Sequence, residues 1–484
     1  MQYWSIFRGK YWEIFKLFVG YDGNKYLLDD THNMLRRKMT DYLLEWKNKP
    51  KKNCLLIKGP RQVGKTYIVE DFAKKNYRNY IYIDFETMKE MKEIFKGDLD
   101  TNTVIREMSL RFPNVKFEPG NLLIFLDEIQ SCPEARVSLK PFSIDGRFDV
   151  IASGSLLGLN QKEVSSYPVG YVTPVEMRSL DFEEFLWAFG ISDDNIKYIF
   201  DSIVEKKLLS ASTLNLMDEY YRRYMVIGGM PEVVSRFIET NSFAEAFKVQ
   251  EEILEEYEKD ITKYAKDEDK PKIRSVMRSI PVQLAKENKR FRYSDISPQG
   301  KGGGVREYGD SIDWLHDAGI VNYCYNLQEP HAPLATNLKL DCFKLYFHDT
   351  GLLMSMMDRG VAIAVNIGDV KANKGSIVEN ITAEELSKNG VMLTYFERKG
   401  KLEVDFILNQ DGRVTALEVK SGNNTKSKSL DSVMSERYGV ERGIKLEKTN
   451  IYVDEKGVEH YPLFAAAFLF RFDIDKLMKI DKRA

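Results

Sequence analysis

The sequence predicts an α/β protein in which a doubly wound parallel sheet comes first, followed by a helical region and then by a smaller α/β domain. Three features predict this order. A glycine-rich loop separates an apolar run from a helical pattern near residue 60. A wholly apolar run ends in two acids near residue 127. A hairpin pattern near residue 411 carries one acid before its turn, and an acid and a lysine after it.

Length and composition limit the classes of protein to consider. A chain of 484 residues is too long for one hydrophobic core and predicts two to four domains. Lys and Arg total 71 against 73 for Asp and Glu, so no overall positive charge indicates nucleic acid, although a local patch could still bind it. The four cysteines lack the spacing of a disulfide framework or a zinc site. Without an apolar run of about 18 residues, no membrane-spanning helix is expected.

The glycine-rich loop lies in the segment CLLIKGPRQVGKT, residues 54–66, which has the pattern Gly59-x-x-x-x-Gly64-Lys65-Thr66. A strand, a glycine loop and a helix in this order place backbone N–H groups and a helix N-terminus around phosphate oxygens. We expect Lys65 to reach the β- and γ-phosphates of ATP and Thr66 to bind Mg²⁺. The predicted ATP-binding residues are Gly59, Pro60, Arg61, Gln62, Val63, Gly64, Lys65, Thr66 and Tyr67.

The acid pair follows the apolar run of NLLIFLDEIQ, residues 121–130. An unbroken apolar run is typical of a strand buried on both faces of a parallel sheet, and the end of such a strand faces the ligand crevice. Asp127 is therefore predicted to hold Mg²⁺, and Glu128 to polarise the attacking water. A further strand, FDVIASGS, ends in Ser153 and Ser155. Ser153 is the predicted sensor of the γ-phosphate, although a plain Gly-Ser turn fits this segment equally well.

Apolar residues three and four apart predict a helical lid or connector over residues 181–285. Residues 286–355 then read as helix, turn, helix and β-ribbon, which is a winged-helix pattern. Its second helix carries Arg306 among several acids, and this composition suits DNA phosphates poorly. A modest basic patch is formed by Lys289, Arg290, Arg292 and Lys301. DNA binding and a structural or protein-contact role both stay open for this region.

The last predicted domain, residues 356–484, contains three acids and a lysine in order. Glu379 lies in a helical pattern, Asp405 in the strand EVDFIL at 403–408, and Glu418 and Lys420 in the strand TALEVKS at 415–421, with Asp411-Gly412 as a hairpin turn. Asp405 and Glu418 are predicted to share Mg²⁺ with Glu379 completing the site, and Lys420 to orient or deprotonate water. A cross-strand ion pair is the alternative, but adjacent carboxylates are unfavourable without a cation.

The predicted metal ligands are therefore Thr66, Asp127, Glu379, Asp405 and Glu418, and the predicted catalytic residues are Lys65, Glu128, Asp405, Glu418 and Lys420. The remaining predicted segments are an N-terminal extension at residues 1–33 and the sheet domain at residues 34–180. The extension has an amphipathic helical pattern, and this fits either a helix packed on the body or one that binds a membrane surface or a partner.

From about Met34 onward, the chain resembles the AAA-type ATPases of bacteria and archaea that carry a C-terminal domain of unknown function. The resemblance is carried, in order, by GPRQVGKT, LLIFLDEIQ, ASGSLLGL, YPVGYVTPVEMRSLDFEEFL, GGMPEVV, YSDIS, REYGDSIDWLHDAGIV, FKLYFHDTGLL, GSIVEN, EVDFIL and LEVKSG. It implies a P-loop NTPase fold and a cytoplasmic protein that binds and hydrolyses ATP. AAA-type ATPases usually take an arginine from a neighbouring subunit, and the candidates here are Arg136, Arg147 and Arg178.

The acids and lysine of the last domain, in the order E…D-x₁₂-E-x-K, resemble the PD-(D/E)XK nuclease superfamily. The leading hypothesis is an ATPase that couples its nucleotide state to a nuclease-like domain acting on DNA or RNA. The alternative is an ATP-dependent protein-binding switch whose nuclease-like domain is inactive. Homo-oligomers and protein partners are compatible with either hypothesis.

Overall fold

The computed structural model describes residues 35–155, 170–296, 304–369, 374–398, 402–410, 412–422, 428–435 and 438–470. Residues 1–33, the glycine turn at 300–303, Lys301 and Asp411 lie outside this part of the chain. The chain divides into two compact units, one made of residues 36–179 with 317–319, and the other of the described residues in 180–316 and from 320 onward. Among the described residues, none of the helices combines the length and apolar character needed to cross a bilayer.

The first unit is built on a five-stranded sheet in the order β2-β3-β4-β1-β5, in which every pairing is parallel. This confirms the predicted parallel α/β sheet; strand β5 was not predicted. Its elements are α1 (Lys38–Asn48), β1 (Cys54–Gly59), α2 (Lys65–Asn76), β2 (Asn79–Asp84), α3 (Thr101–Arg111), β3 (Leu122–Asp127), α4 (Pro133–Asp145), β4 (Asp149–Ser155) and β5 (Val172–Glu176).

The sheet is held by apolar side chains on its strands. Strand β3 is buried along its whole length, as its unbroken apolar run predicts. Ile81, Ile124 and Val150, on three neighbouring strands, pack in one core cluster with Phe95 and Leu139 from the flanking helical segments. Because the strands are parallel, their carboxyl ends meet at one edge of the sheet, and the predicted nucleotide residues lie there.

The second unit begins with six helices between residues 182 and 284, where the apolar periodicity predicts helices. Serine side chains cap three of them, at Ser192, Ser210 and Ser242. The helices are α5 (Phe182–Ala188), α6 (Asp193–Val204), α7 (Ala211–Ile227), α8 (Pro231–Thr240), α9 (Phe243–Tyr264) and α10 (Lys270–Leu284).

Two sheets complete the second unit, one in the order β7-β6-β8-β9 and the other in the order β10-β11-β12-β14-β13. One apolar cluster, which includes Leu327, Phe396, Ile407 and Ala416, joins the two sheets. The elements are α11 (Val305–Asp317), β6 (Val321–Leu327), β7 (Leu338–Phe347), α12 (Thr350–Ser355), α13 (Arg359–Asn366), α14 (Lys374–Lys388), β8 (Thr394–Arg398), β9 (Leu402–Val404), β10 (Phe406–Gln410), β11 (Arg413–Val419), α15 (Lys428–Val433), β12 (Arg442–Glu447), β13 (Tyr452–Val453), β14 (Glu459–Pro462) and α16 (Ala466–Leu469).

The predicted single strand at 403–408 is wrong in one respect. The chain bends at Asp405, between β9, which pairs with β8 in one sheet, and β10, which pairs with β11 in the other. A residue at which the chain changes sheets cannot continue both ladders, so its backbone leaves the strand geometry. Strand β11 likewise ends at Val419, so Lys420 follows the strand instead of lying within it.

Two glycine-containing motifs of the sequence form one close contact within the second unit. The N–H of Gly229 donates to Asp349 Oδ2 at 2.8 Å. A Cβ on Gly228 would lie 2.1 Å from Asp349 Oδ1, and one on Gly351 would lie 2.3 Å from the carbonyl oxygen of Ile227. The motifs GGMPEVV and FHDTGLL thus contain glycine because their backbones touch each other.

Candidate functional site

The glycine-rich loop turns sharply between β1 and α2. Gln62 and Gly64 both have left-handed backbone conformations, with φ of 62° and 90°. Gly64 is the residue before α2, so the loop curls directly into the first turn of that helix. This is the local geometry that directs a helix N-terminus at a bound anion.

The first glycine of the loop has a packing role in addition. A Cβ on Gly59 would lie 2.0 Å from the carbonyl oxygen of Met177, directly after β5. The N–H of Met177 donates to the carbonyl of Lys58 at 2.8 Å. Gly59 therefore allows the chain after β5 to lie against the start of the loop.

Lys65 is buried at the base of the loop. Its Nζ donates to the carbonyl oxygens of Gly59 at 3.0 Å and Pro60 at 2.7 Å. The loop's own carbonyls therefore hold the ammonium group at the place where the sequence predicts phosphate binding.

Asp127 is 3% exposed, and hydroxyl groups surround its carboxylate. Thr66 Oγ1 donates to Asp127 Oδ2 at 2.6 Å, and Tyr82 OH donates to the same oxygen at 3.3 Å. Ser153 Oγ donates to Asp127 Oδ1. The fold thus brings together the predicted Thr66, Asp127 and Ser153, because β4 lies between β1 and β3. Tyr82 was missed, since alternation along β2 does not distinguish it from Tyr80.

Glu128 has a left-handed backbone with φ of 50°, which is uncommon for a residue other than glycine. Gln130 Nε2 donates to its carboxylate. Burial raises the pKa of the Glu128 carboxyl, against the opposing effect of the Gln130 hydrogen bond. The carboxylate next to Asp127 is therefore held in place and is more basic than an ordinary glutamate.

Arg37 is a further residue at this site, and no sequence pattern predicted it. Its guanidinium donates to the carbonyl oxygens of Val63 at 3.0 Å and Arg178 at 2.6 Å. One buried cation thus ties the loop to the segment after β5. An arginine just before an amphipathic helix is too common a feature to have indicated this contact.

The three arginines considered as donors to a neighbouring subunit differ in exposure. Arg136 is buried within its own unit, so it cannot reach another chain. Arg147 and Arg178 are partly exposed and are paired with Asp145 at 2.7 Å and Glu176 at 2.8 Å.

The predicted residues Glu379, Asp405 and Glu418 come together in the second unit. Glu403, which was not predicted, shares Lys344 with Glu379, and we call these four acids the carboxylate cluster. Helix α14 supplies Glu379, the bend between β9 and β10 supplies Asp405, and β11 supplies Glu418. Asp405 Oδ2 accepts a hydrogen bond from the N–H of Val419 at 2.8 Å, which fixes Asp405 beside the end of β11.

Lysines that were not predicted here neutralise part of this cluster. Lys344 of β7 is fully buried, with its Nζ 3.0 Å from Glu379 Oε1 and 2.9 Å from Glu403 Oε1. Lys289 contacts Glu379 Oε2, and Tyr346 OH donates to Glu379 Oε1. The expected basic patch is therefore wrong for Lys289, because its ammonium group points into the carboxylate cluster and not to a nucleic-acid surface.

Glu418 and Lys420 form the expected pair, with Lys420 Nζ 2.5 Å from Glu418 Oε1. Glu418 is 5% exposed, and its second oxygen, Oε2, is buried without a hydrogen-bond partner among the described residues. A buried carboxylate oxygen without a donor is costly unless a cation or a proton approaches it. The cluster therefore lacks a cation or a hydrogen-bond donor at Glu418 Oε2.

The charges in the cluster shift its pKa values in opposite directions. Burial, together with the charges of Glu379 and Glu418, raises the pKa of Asp405 to about 7. Burial acts to raise the pKa of Glu379 as well, but the charges of Lys289 and Lys344 outweigh it and lower that pKa to about 2. The charges of Lys289 and Lys344 thus stabilise the ionised form of Glu379, whereas the surroundings of Asp405 favour its protonated form.

The described residues contain no group of three or more His, Cys, Asp or Glu side chains arranged to hold a metal ion. The predicted ligands Glu379, Asp405 and Glu418 are neighbours, but three oxygens of the set, both of Glu379 and one of Glu418, already contact lysine ammonium groups. Metal binding at this cluster stays a prediction, and it would require a local rearrangement.

Comparison with known proteins identifies the nucleotide-binding part of the chain. The family described as "AAA domain" matches residues 51–186, which contain both the glycine-rich loop and the acid pair. Residues 218–362 and 374–464 match two domains of unknown function, DUF8612 and DUF4143. The chain therefore carries an ATP-binding domain of the AAA ATPase type, followed by regions whose families have no assigned function.

Two solved structures with similarity to this chain are distant from it in sequence. The Aeropyrum pernix ORC1 protein in complex with DNA is 13% identical, with 69% of this chain and 91% of that chain covered at a TM-score of 0.24. C. elegans PCH-2 is 12% identical, with 34% of this chain and 51% of that chain covered at a TM-score of 0.21. No curated protein matches the sequence. Similarities this distant say nothing about substrate or partner.

Replacing Arg37 by Met should weaken ATP binding about tenfold, because the loop carbonyl of Val63 loses the charge-assisted hydrogen bond that, with the one to Arg178, ties the loop to the segment after β5. Titration with a fluorescent ATP analogue measures this. Arg36→Met is the matched control, since Arg36 lies about half exposed at the surface, 4.0 Å from Asp41. Equal affinities for the two variants would contradict the positioning role of Arg37.

Proposed function

We propose that this chain hydrolyses Mg-ATP at the edge of the parallel sheet. The observation that carries the proposal is the 2.6 Å hydrogen bond from Thr66 to Asp127. It places a hydroxyl and a carboxylate side by side at the first turn of α2, and these are the oxygen ligands that Mg²⁺ prefers. When bound there, Mg²⁺ would neutralise charge on the β- and γ-phosphates.

The protein groups around this pair suit phosphoryl transfer to water. Lys65 would exchange the carbonyls of Gly59 and Pro60 for phosphate oxygens, which are stronger acceptors. Ser153, beside Asp127, would donate to the γ-phosphate and so respond to its presence. Loop residues Gly59 to Tyr67, other than Pro60, which has no N–H, would supply backbone donors.

Glu128 would orient the attacking water and accept its proton. Its left-handed backbone turns it away from the path of β3, Gln130 fixes its carboxylate, and its raised pKa makes it a better proton acceptor. Hydrolysis therefore depends on Glu128, whereas binding depends on the loop.

Glu128→Gln should leave ATP binding within about twofold and slow hydrolysis at least about a hundredfold, which is the range expected for loss of a positioned base. Single-turnover release of phosphate measures hydrolysis, and binding is titrated separately. Glu90→Gln, on an exposed turn, is the control. Undiminished turnover in Glu128→Gln would remove Glu128 from the mechanism.

We further propose that the carboxylate cluster is a divalent-metal site of the nuclease type. Support comes from the buried Glu418 oxygen that lacks a donor and lies near Asp405, whose own pKa is raised. A metal bound by Asp405 and Glu418 would activate water and stabilise the leaving oxygen of a phosphodiester. Lys420, 27% exposed, would bind or deprotonate that water from the solvent side. DNA or RNA would be the substrate.

A second candidate function rests on a different observation. Glu379 already contacts Lys289, Lys344 and Tyr346, as expected of a cluster that keeps its shape without metal. In this second function, the chain is an ATP-dependent switch whose second unit binds a protein, and its nuclease-like site is inactive.

A cleavage assay separates the two functions. The double variant Asp405→Asn with Lys420→Ala should lose Mg²⁺- or Mn²⁺-dependent cutting of DNA or RNA, because both the metal ligand and the water partner are gone. Asp431→Asn with Lys456→Ala is the matched control, since it removes an exposed ion pair of 2.6 Å elsewhere in the same unit. If the wild-type chain cuts neither nucleic acid with either metal, with or without ATP, the nuclease proposal fails and the switch is favoured.

A further inference from the structure

The carboxylate cluster receives one of its cations from outside the strands and helix that form it. Lys289 lies in the segment between α10 and the short turn at Tyr293–Asp295. Its side chain is 16% exposed, and its ammonium group contacts Glu379 Oε2. Its charge also acts on Asp405. Lys289 therefore lies where the cluster is most negative.

Neighbouring residues fix the position of this lysine on both sides. Asn288 Nδ2 donates to Glu397 Oε1 at 3.3 Å, just before Lys289. The N–H of Phe291 donates to the carbonyl of Phe343 at 2.8 Å, just after it. The N–H of Arg292 donates to Gln283 Oε1 at 2.7 Å. The backbone that carries Lys289 is thus anchored on both sides. The contact of its ammonium group with Glu379 is therefore a defined one, unlike the many positions that a free surface side chain samples.

The three lysines of the cluster differ in how easily they could leave it. Lys344 lies in the middle of β7 and is fully buried, so its removal would require unfolding of the sheet. Lys420 pairs with Glu418, two residues away on the same chain segment. Lys289 reaches the cluster from an irregular segment with access to solvent. Lys420 is more exposed than Lys289, but of the two lysines that contact Glu379, Lys289 is the one that can withdraw without disrupting a strand.

We infer that Lys289 is a built-in cation that holds the place of a divalent metal in the carboxylate cluster, so that metal enters only when Lys289 withdraws from Glu379. The inference rests on the proposed metal site. Lys289 and a divalent ion that takes Glu379 as its third ligand, beside Asp405 and Glu418, would compete for the Glu379 oxygens, and a buried carboxylate is costly to leave without either cation. The cluster is therefore closed to metal while the segment at 286–292 keeps its anchors.

Titration of the full chain with Mn²⁺ alone, without nucleotide, tests this competition. Calorimetry should show Mn²⁺ binding that Asp405→Asn abolishes, and Lys289→Met should strengthen that binding at least about tenfold. Lys286→Met is the matched control, because Lys286 lies three residues earlier and pairs with Asp295 at 2.6 Å, outside the cluster. It should leave the affinity unchanged. Equal or weaker Mn²⁺ binding by a folded Lys289→Met would overturn the inference.

Hydrogen–deuterium exchange of the wild-type chain tests the same point without a substitution. Saturating Mn²⁺ should speed amide exchange in the segment 286–292, since its anchors must loosen when Lys289 withdraws. Unchanged exchange there with Mn²⁺ bound would overturn the inference.

The two proposals fail in different ways. Mn²⁺ binding that depends on Asp405 and is equally strong in wild type and Lys289→Met keeps the metal site and removes the role of Lys289. Absence of any Asp405-dependent binding in both proteins at millimolar Mn²⁺ rejects the metal site, and the inference with it.

Discussion

Buried carboxylates need a positive charge or hydrogen-bond donors close by, and this requirement governs both candidate sites. In the second unit it explains why β7 carries a lysine in its fully buried half. Lys344 lies within 3.0 Å of Glu379 and 2.9 Å of Glu403, and so it joins helix α14 to the end of the β8–β9 hairpin. An apolar residue at this position would leave the partly exposed Glu403 without this ammonium group and the buried Glu379 with Lys289 as its remaining lysine partner. The arrangement of strands around Asp405 therefore depends on this pairing.

The same requirement is met differently in the first unit. Asp127 is as deeply buried as Glu379, but its oxygens accept from the neutral hydroxyls of Thr66, Ser153 and Tyr82. Hydroxyl groups are also acceptors, so they can turn toward a cation without leaving. Lysine ammonium groups cannot do this, because they must move away when a metal arrives. The Asp127 site could therefore accept the proposed Mg²⁺ by reorienting its hydroxyls, whereas the carboxylate cluster already contains lysine ammonium groups.

The features that the sequence predicted well are those with local signals. The apolar runs of β1, β3 and β4 identify buried parallel strands, and the residues at their ends meet because parallel strands end at one edge. Thr66, Asp127 and Ser153 could be placed together for that reason. The pairing of Glu418 with Lys420 follows from their two-residue spacing.

The features that were missed arise from contacts distant in sequence. Lys344 reaches Glu379 from 35 residues away and Lys289 from 90, and neither strand alternation nor charge pattern encodes such a meeting. Arg37 lies 141 residues from its acceptor at Arg178. The bend at Asp405 reflects a change of sheet, which a run of apolar residues does not reveal. Single-sequence patterns thus predicted Glu379, Asp405, Glu418 and Lys420 of the C-terminal site, but neither Glu403 nor the two distant lysines that neutralise Glu379.

The central claim is that the carboxylate cluster is a cation site held by Lys289 in the absence of metal. A crystal structure grown in Mn²⁺, with anomalous scattering recorded at the manganese edge, tests it most directly. The account predicts an anomalous peak beside Asp405 and Glu418, with Lys289 withdrawn from Glu379. No peak at the cluster under saturating Mn²⁺, with Lys289 still in contact with Glu379, would contradict it.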